Sequence, residues 1–260
     1  MTLATKLKRL EDRLRKLPGL SVALSGGLDS SVLLVLACRI LGPHRVEALT
    51  ISSPIMVPED LIEARLVALS HGVKHEFMAF DHLALWAFQA NPPDRCYFCK
   101  KAMFEKLLSR CTFPLADGTQ QDDLKEDRPG LKALKELKIL SPLKEAFLTK
   151  EELRALGRKF GLRRYREAPS PCLATRFPPG EGITAEKIAR VREAEAYLLS
   201  LGFSRVRVRF LNDRALIEVD PREIELLWES RAEVIAHFKQ LGFLKVCLDL
   251  QGYQPPLKRP

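Results

Sequence analysis

The chain predicts an α/β fold: a parallel sheet with helices on both faces, followed by a smaller C-terminal α+β domain. Three observations in its 260 residues carry that expectation. Short apolar runs alternate with helical patterns through the first half, as parallel strands and their crossovers require. The first such run ends in a glycine-rich break, SGGLDS, behind which a helix resumes. After residue 148 the texture changes, and two short strands meet at Asn212-Asp213, a hairpin turn signal. Residues 1–148 are therefore expected to form the parallel-sheet domain and 149–260 the C-terminal one.

Each element has its own signal. Leu7, Leu10, Leu14 and Leu17 lie at helical spacing within 5–17, and Pro18-Gly19 ends that helix. Leu20 to Leu24 is a buried-strand run, 29–41 the helix behind it, and 46–51 a second strand. Residues 58–70 read as a helix, with Pro58 in the first turn and two acids behind it. A strand over 73–77, a helix over 81–88, a helical stretch at 104–108 and a strand over 113–116, ending at Asp117-Gly118, complete this half. Thr149 followed by Lys-Glu-Glu is an N-cap with acids in the first turn, so a helix runs to Phe160. Residues 161–182 are rich in turns and almost without periodicity. Helix 184–201, strands 205–210 and 214–219, helix 221–240 and strand 243–250 close the chain.

Composition bounds the function. With 46% hydrophobic and 29% charged residues the chain is globular, and no apolar run approaches the ~18 residues of a membrane span. The N-terminus, MTLATKLKRLEDRLRKL, lacks the apolar core of a signal peptide, and its acids argue against a transit peptide. A cytoplasmic protein is expected. A net charge of +9 admits an anionic partner without selecting one. Six cysteines in such a chain do not make a disulfide framework, so their spacing matters more than their number.

The break after the first strand is the main chemical signal. At the carboxyl end of a parallel strand, Gly26 and Gly27 let backbone amides approach a ligand, and the helix start completes an anion site. Ser25 and Ser30 add hydroxyls. Asp29 would repel phosphate directly, which implies a divalent cation between the two. A polyphosphate with magnesium follows. The lysine of a GxxxxGK[ST] loop is absent.

SGGLDS resembles the SGGxDS signature of the PP-loop ATP pyrophosphatases, the adenine nucleotide alpha hydrolase-like enzymes that release pyrophosphate and place AMP on an acceptor oxygen. RCYFCKKAMF (95–104), DGTQQDDLKEDRPGLKAL (117–134), SPCLATRFPPG (170–180) and VRVRFLNDRALIEV (206–219) narrow the likeness. They are similar, in this order, to the LarE family, ATP-dependent sulfur insertases of the nickel-pincer nucleotide cofactor of lactate racemase. The resemblance implies a carboxylate of pyridinium-3,5-biscarboxylic acid mononucleotide as acceptor, adenylated and then converted to a thiocarboxylate. It further implies a homo-oligomer, trimer or hexamer, and partners in nickel-pincer cofactor biosynthesis. The expected ATP set is Ala23, Ser25, Gly26, Gly27, Asp29, Ser30, Gly118 and Asp123, with Asp29 also on Mg²⁺. Asp117 and Asp123 would share a sheet edge with the glycine loop, although a solvated acidic turn is the plain alternative. Arg128 sits in an Arg-Pro-Gly turn that could aim it at phosphate.

The cysteines divide. Cys38, Cys111 and Cys247 lie in a helix, at a helix end and in a strand, and read as structural. Cys96 and Cys99 form a CxxC, which suits a redox pair, half a zinc site or part of an iron–sulfur cluster. With Cys172 they could hold a [4Fe–4S] cluster whose open iron takes exogenous sulfide. The family also holds members that sacrifice one cysteine sulfur, and there Cys172 would be the donor. Arg163, Arg164, Arg166 and Arg176 would favour its thiolate. Cys172, Asp29 and Lys100 are the expected catalytic residues.

On the strand at 205–210, Arg205, Arg207 and Arg209 share one face, able to clamp a phosphate or simply to meet water. The resemblance implies that Arg207 and Arg209 receive the substrate phosphate, with Arg176 and Glu195 in the same site. Two other readings compete. A tRNA-thiolating relative would suit the basic charge, but the chain has no aromatic-rich basic stretch for stacking bases. A non-catalytic nucleotide-binding or iron–sulfur scaffold module is opposed by the intact Ser25–Ser30 loop.

Overall fold

A computed structural model describes residues 1–125, 129–166 and 172–254. In chain order the helices and strands are α1 (Leu3–Leu14), β1 (Leu20–Ala23), α2 (Leu28–Leu41), β2 (Val46–Ser52), α3 (Pro58–Ser70), β3 (Lys74–Ala79), α4 (Trp86–Ala90), α5 (Arg95–Leu108), β4 (Leu115–Ala116), α6 (Pro129–Glu136), α7 (Pro142–Glu145) and α8 (Lys150–Lys159). They continue with α9 (Ala185–Ser200), β5 (Val206–Leu211), β6 (Arg214–Val219), α10 (Ile224–Glu229), α11 (Arg231–Gln240) and β7 (Lys245–Leu248). No helix among the described residues is long and apolar enough to cross a membrane.

Packing divides the chain into two units: Met1–Asp81 with Cys96–Ser170, and His82–Arg95 with Pro171–Pro260. This division differs from a single cut at 148. α8 belongs to the first unit because Leu153 and Leu156 are buried in one apolar cluster with Val32, Val35 and Leu36 of α2. The residues that break the strand–helix alternation are therefore not the residues that end the core.

In the first unit four parallel strands run in the order β3-β2-β1-β4. β1 is central and apolar, with Leu20 and Val22 fully buried. The order reverses beside β1, so the crevice at the carboxyl ends of β1 and β4 is where such a sheet binds ligands. At the opposite end of the sheet Glu47 is buried. Burial disfavours its charge, but the Ser21 hydroxyl and the Thr112 amide and hydroxyl bond the carboxylate and hold its pKa below the ordinary value.

The second unit carries the sheet β5-β6-β7. β5 and β6 are antiparallel across Asn212 and Asp213, both at positive φ (48° and 60°), as a two-residue hairpin of this twist requires. Two expected helices are broken. Over 81–88 a 3₁₀ turn (His82–Ala84) is followed by α4, with Leu85 extended between them, which lets His82 and Phe88 both be buried in ring contact at 5.4 Å. The stretch 221–240 splits into a 3₁₀ turn, α10 and α11. Ser230, at φ −80° and ψ 3°, turns the chain between the buried Leu227 and Val234.

Candidate functional site

The glycine loop joins β1 to α2 and is built from its own hydroxyls. Ser30 Oγ lies 3.1 Å from Ser25 Oγ, donates to the Gly27 carbonyl at 3.1 Å and accepts the Ser25 amide at 3.2 Å. Gly26 has φ +78°, and a Cβ there would stand 1.9 Å from the Asp60 carbonyl oxygen. Only glycine fits. Gly27 is the N-cap of α2 with no side-chain cap, leaving the first amides of the helix for an anion. Gly118, after β4, has room for no Cβ either, since one would lie 2.7 Å from the Ser30 amide. The two loops expected at one sheet edge are thus packed backbone to backbone.

Asp29 meets a residue that the sequence did not single out. Lys150 Nζ donates to both carboxylate oxygens, at 2.7 and 2.9 Å. Lys150 is placed by a capping box: the Thr149 side chain accepts the Glu152 amide, and Glu152 accepts the Thr149 amide. Burial pushes the Asp29 pKa up; Lys150 and Arg154 oppose that, and Asp123 adds to it. Two carboxyls and two cations therefore share this end of the loop. The Thr-Lys-Glu-Glu pattern marked a helix start, and nothing local in it says which carboxylate its lysine meets.

Lys100, on α5, sits 3.6 Å from Asp117, whose buried carboxylate also accepts the Thr119 and Ser141 hydroxyls. Gly130 at the start of α6 lies against the Lys100 stem, where a Cβ would come within 2.9 Å. Cys96 is exposed and Cys99 buried, one turn apart on α5. Arg128 lies outside the described residues. Arg164 pairs with Asp60 within the first unit.

In the second unit, Cys172 caps a single 3₁₀ turn, Leu173–Arg176. The Thr175 amide and hydroxyl both donate to the Cys172 carbonyl, at 3.0 and 2.9 Å. Arg176 is buried and forks onto Glu195 at 2.7 and 3.0 Å, while Glu195 also accepts the Val208 amide at 2.9 Å. Burial disfavours the Arg176 charge, but Glu195, with the Cys172 thiol behind it, raises its pKa above the ordinary value.

Arg207 and Arg209 share one carboxylate, Glu218. Arg207 is only 2% exposed. Its Nη2 donates to the Tyr253 hydroxyl at 2.8 Å, its guanidinium lies 4.4 Å from the Tyr253 ring centroid, and its Nε has no hydrogen-bond partner among the described residues. Arg205 is exposed and Arg209 partly so, whereas Arg207 is covered. Gly252 makes that possible: at φ +66°, with a Cβ position 2.7 Å from the Val219 carbonyl, it lets Tyr253 donate its amide to that carbonyl.

Comparison with known proteins places the chain in a family. Residues 4–104 match the family model described as NAD synthase, a glycine-loop ATP-using domain. A pyridinium-3,5-bisthiocarboxylic acid mononucleotide synthase of Lactiplantibacillus plantarum is 36% identical over 97% of this chain and 93% of its own length. An uncharacterised protein of Synechocystis is 39% identical over 97% of this chain and 96% of its own. One of Methanocaldococcus jannaschii is 30% identical over 98% and 99% respectively.

The chain belongs to the LarE family.

Within the frame of that family, the structure brings Ala23, Ser25, Gly26, Gly27, Asp29 and Ser30 together with Gly118, and Asp123 close enough to act on Asp29. It brings Arg176, Glu195, Arg207 and Arg209 together around Thr175, whose carbonyl accepts Arg209 at 3.3 Å. Cys96 and Cys99 lie in the first unit and Cys172 in the second. Among the described residues no group of three or more His, Cys, Asp or Glu side chains is placed to hold a metal ion. Sequence reasoning missed Lys150, Arg154, Glu218 and Tyr253. Each acts through a partner far away in the chain or on a neighbouring strand.

Proposed function

We propose that this chain is an ATP-dependent sulfur insertase that acts on pyridinium-3,5-biscarboxylic acid mononucleotide in nickel-pincer cofactor biosynthesis. The observation that carries the reading is the identity with the Lactiplantibacillus synthase across 97% of the chain, joined to a glycine loop built for ATP. A carboxylate oxygen of the acceptor attacks the α-phosphorus of ATP, and the bond to pyrophosphate breaks with its electron pair on the leaving group. A sulfur nucleophile then attacks the acyl carbon and expels AMP. The Gly26–Gly27 amides and the start of α2 bind the phosphates. Asp29, with Asp123, would hold Mg²⁺, which supplies charge neutralisation on the phosphate oxygens. Lys100, steadied by Asp117, offers an ammonium beside them. Arg207, Arg209 and Arg176 would receive the substrate.

The sulfur supply is part of the proposal. Cys96 and Cys99, a turn apart on α5, suit two thiolate ligands, and with Cys172 they would hold a [4Fe–4S] cluster. Bound there, such a cluster would carry exchangeable sulfide. The same reading places the enzyme in the cytoplasm as a homo-oligomer, trimer or hexamer. The test is pyrophosphate release that depends on the mononucleotide, with mass spectrometry of the product showing one oxygen replaced by sulfur. Iron and acid-labile sulfide after anaerobic purification test the cluster. A colourless chain giving about one product per molecule and losing H₂S at Cys172 would decide for the sacrificial route.

A further inference from the structure

Arg95, the first residue of the RCYFC stretch, is a buried cation whose partners are neutral. It is 8% exposed. A single nitrogen, Nη1, donates to both Asn91 Oδ1 and the Ala174 carbonyl, the latter at 2.9 Å. Among the described residues no carboxylate pairs with it. A buried guanidinium without an acid is costly unless something in the working protein offsets it.

Its surroundings are elaborately fixed. Asn91 is 2% exposed and left-handed at φ 52°. Its Nδ2 donates to the carbonyls of Phe177, Pro178 and Glu181 at 3.4, 2.7 and 3.1 Å, which turns Oδ1 towards Arg95. The Gly180 amide donates back to the Asn91 carbonyl at 2.8 Å. Asn91 thus holds Arg95 on one side and the loop behind Arg176 on the other. The carbonyl that Arg95 grips belongs to Ala174, and the next carbonyl, of Thr175, accepts Arg209. Arg95 and Arg209 are therefore held one residue apart on the same turn, the turn that Cys172 opens.

Among the described residues, positive charge around this turn exceeds negative. Arg176 has Glu195, but Arg207 and Arg209 share the single carboxylate of Glu218, and Arg95 adds a further positive charge. A site with such an excess is matched to an anion.

We propose that Arg95 is a positioning residue of the substrate site, holding the Ala174 carbonyl and supplying positive charge to an anionic group of the bound mononucleotide, its phosphate or its ring carboxylate. This rests on the function proposed above and adds a fourth arginine to the substrate site. Because both of its hydrogen bonds come from one nitrogen, a lysine ammonium reproduces most of its role, unlike at a forked arginine site.

The experiment uses the full chain and two probes, nicotinic acid mononucleotide, with phosphate and ring carboxylate, and nicotinamide mononucleotide, with phosphate alone. Arg95→Gln should weaken nicotinic acid mononucleotide about tenfold in calorimetry, as loss of a charged interaction implies. Arg95→Lys should stay within about threefold of wild type, and ATP affinity should not move in either variant. Equal weakening towards both probes assigns the phosphate; weakening towards nicotinic acid mononucleotide alone assigns the carboxylate. If Arg95→Gln does not fold, Arg95→Met keeps the apolar stem without the charge and should weaken binding in the same way. A folded variant, by thermal melt, that binds the probes as wild type does overturns the proposal. So does a uniform loss of ATP and mononucleotide binding that lysine fails to rescue, the signature of a merely structural role. A wild-type chain that binds ATP but neither probe sinks the substrate reading itself.

Discussion

Replacing Lys150 by methionine removes the cation that faces Asp29 while keeping the side-chain length and the capping box around it. The pair is made at 2.7 and 2.9 Å, with the side chains 27% and 23% exposed. It lies between an exposed ion pair, worth up to about 1 kcal/mol, and a buried one, whose breaking costs roughly 3–5 kcal/mol. About 2 kcal/mol is expected, near thirtyfold in an equilibrium constant. Burial and Asp123 already push the Asp29 carboxyl up, and without Lys150 only Arg154 opposes them. The direction follows. A carboxyl raised in the folded chain favours folding at low pH and loses that contribution as pH climbs through the folded value. Its ionised form, the one able to hold Mg²⁺, is populated only above that value. Lys150→Met should therefore shift the Mg²⁺ needed for half-maximal pyrophosphate release upwards, by up to about thirtyfold, and recover as pH or Mg²⁺ rises. Lys150→Arg should keep most of the activity. Pyrophosphate release measured across pH and Mg²⁺ decides. A methionine variant with the wild-type rate and Mg²⁺ dependence would refute the role given to this pair.

Three other outcomes follow from the geometry. Gly26→Ala puts a methyl 1.9 Å from the Asp60 carbonyl at φ +78°, so ATP binding should collapse while β1 and α2 persist in hydrogen exchange; an alanine variant with normal ATP affinity would contradict the loop's tightness. Glu218→Gln strips from Arg207 and Arg209 the carboxylate they share and should cost roughly 3 kcal/mol or more in denaturant unfolding. His75, whose pKa burial lowers to about 4 with Arg65 adding to the effect, is held neutral beside the Thr50 hydroxyl at 2.8 Å. Its stabilising contribution is full above the ordinary histidine value and is lost as pH falls towards 4. His75→Gln should flatten the melting temperature across that window, and an unchanged acid limb would count against it.

The sequence by itself determined what is local. Alternation of apolar runs placed β1, α2, β2 and α3, because strand and helix periods are properties of neighbouring residues. SGGLDS identified a phosphate loop because glycine φ freedom and an adjacent helix start are also local, and the family motifs ordered the chemistry along the chain. Tertiary structure alone decided the partnerships. Lys150 meets Asp29 although 121 residues separate them, and the segment 82–95 leaves the domain in which it is written to pack with residues beyond 171. The arginine face at β5 read as a phosphate clamp, with a wet surface as the plain alternative; Glu218, Tyr253 and Gly252 decided that Arg207 is buried, while Arg205 stays exposed. The physical reason is one of range. Dihedral preference and periodicity act over a few residues, whereas the neutralisation of a buried charge depends on whichever distant side chain the packing delivers.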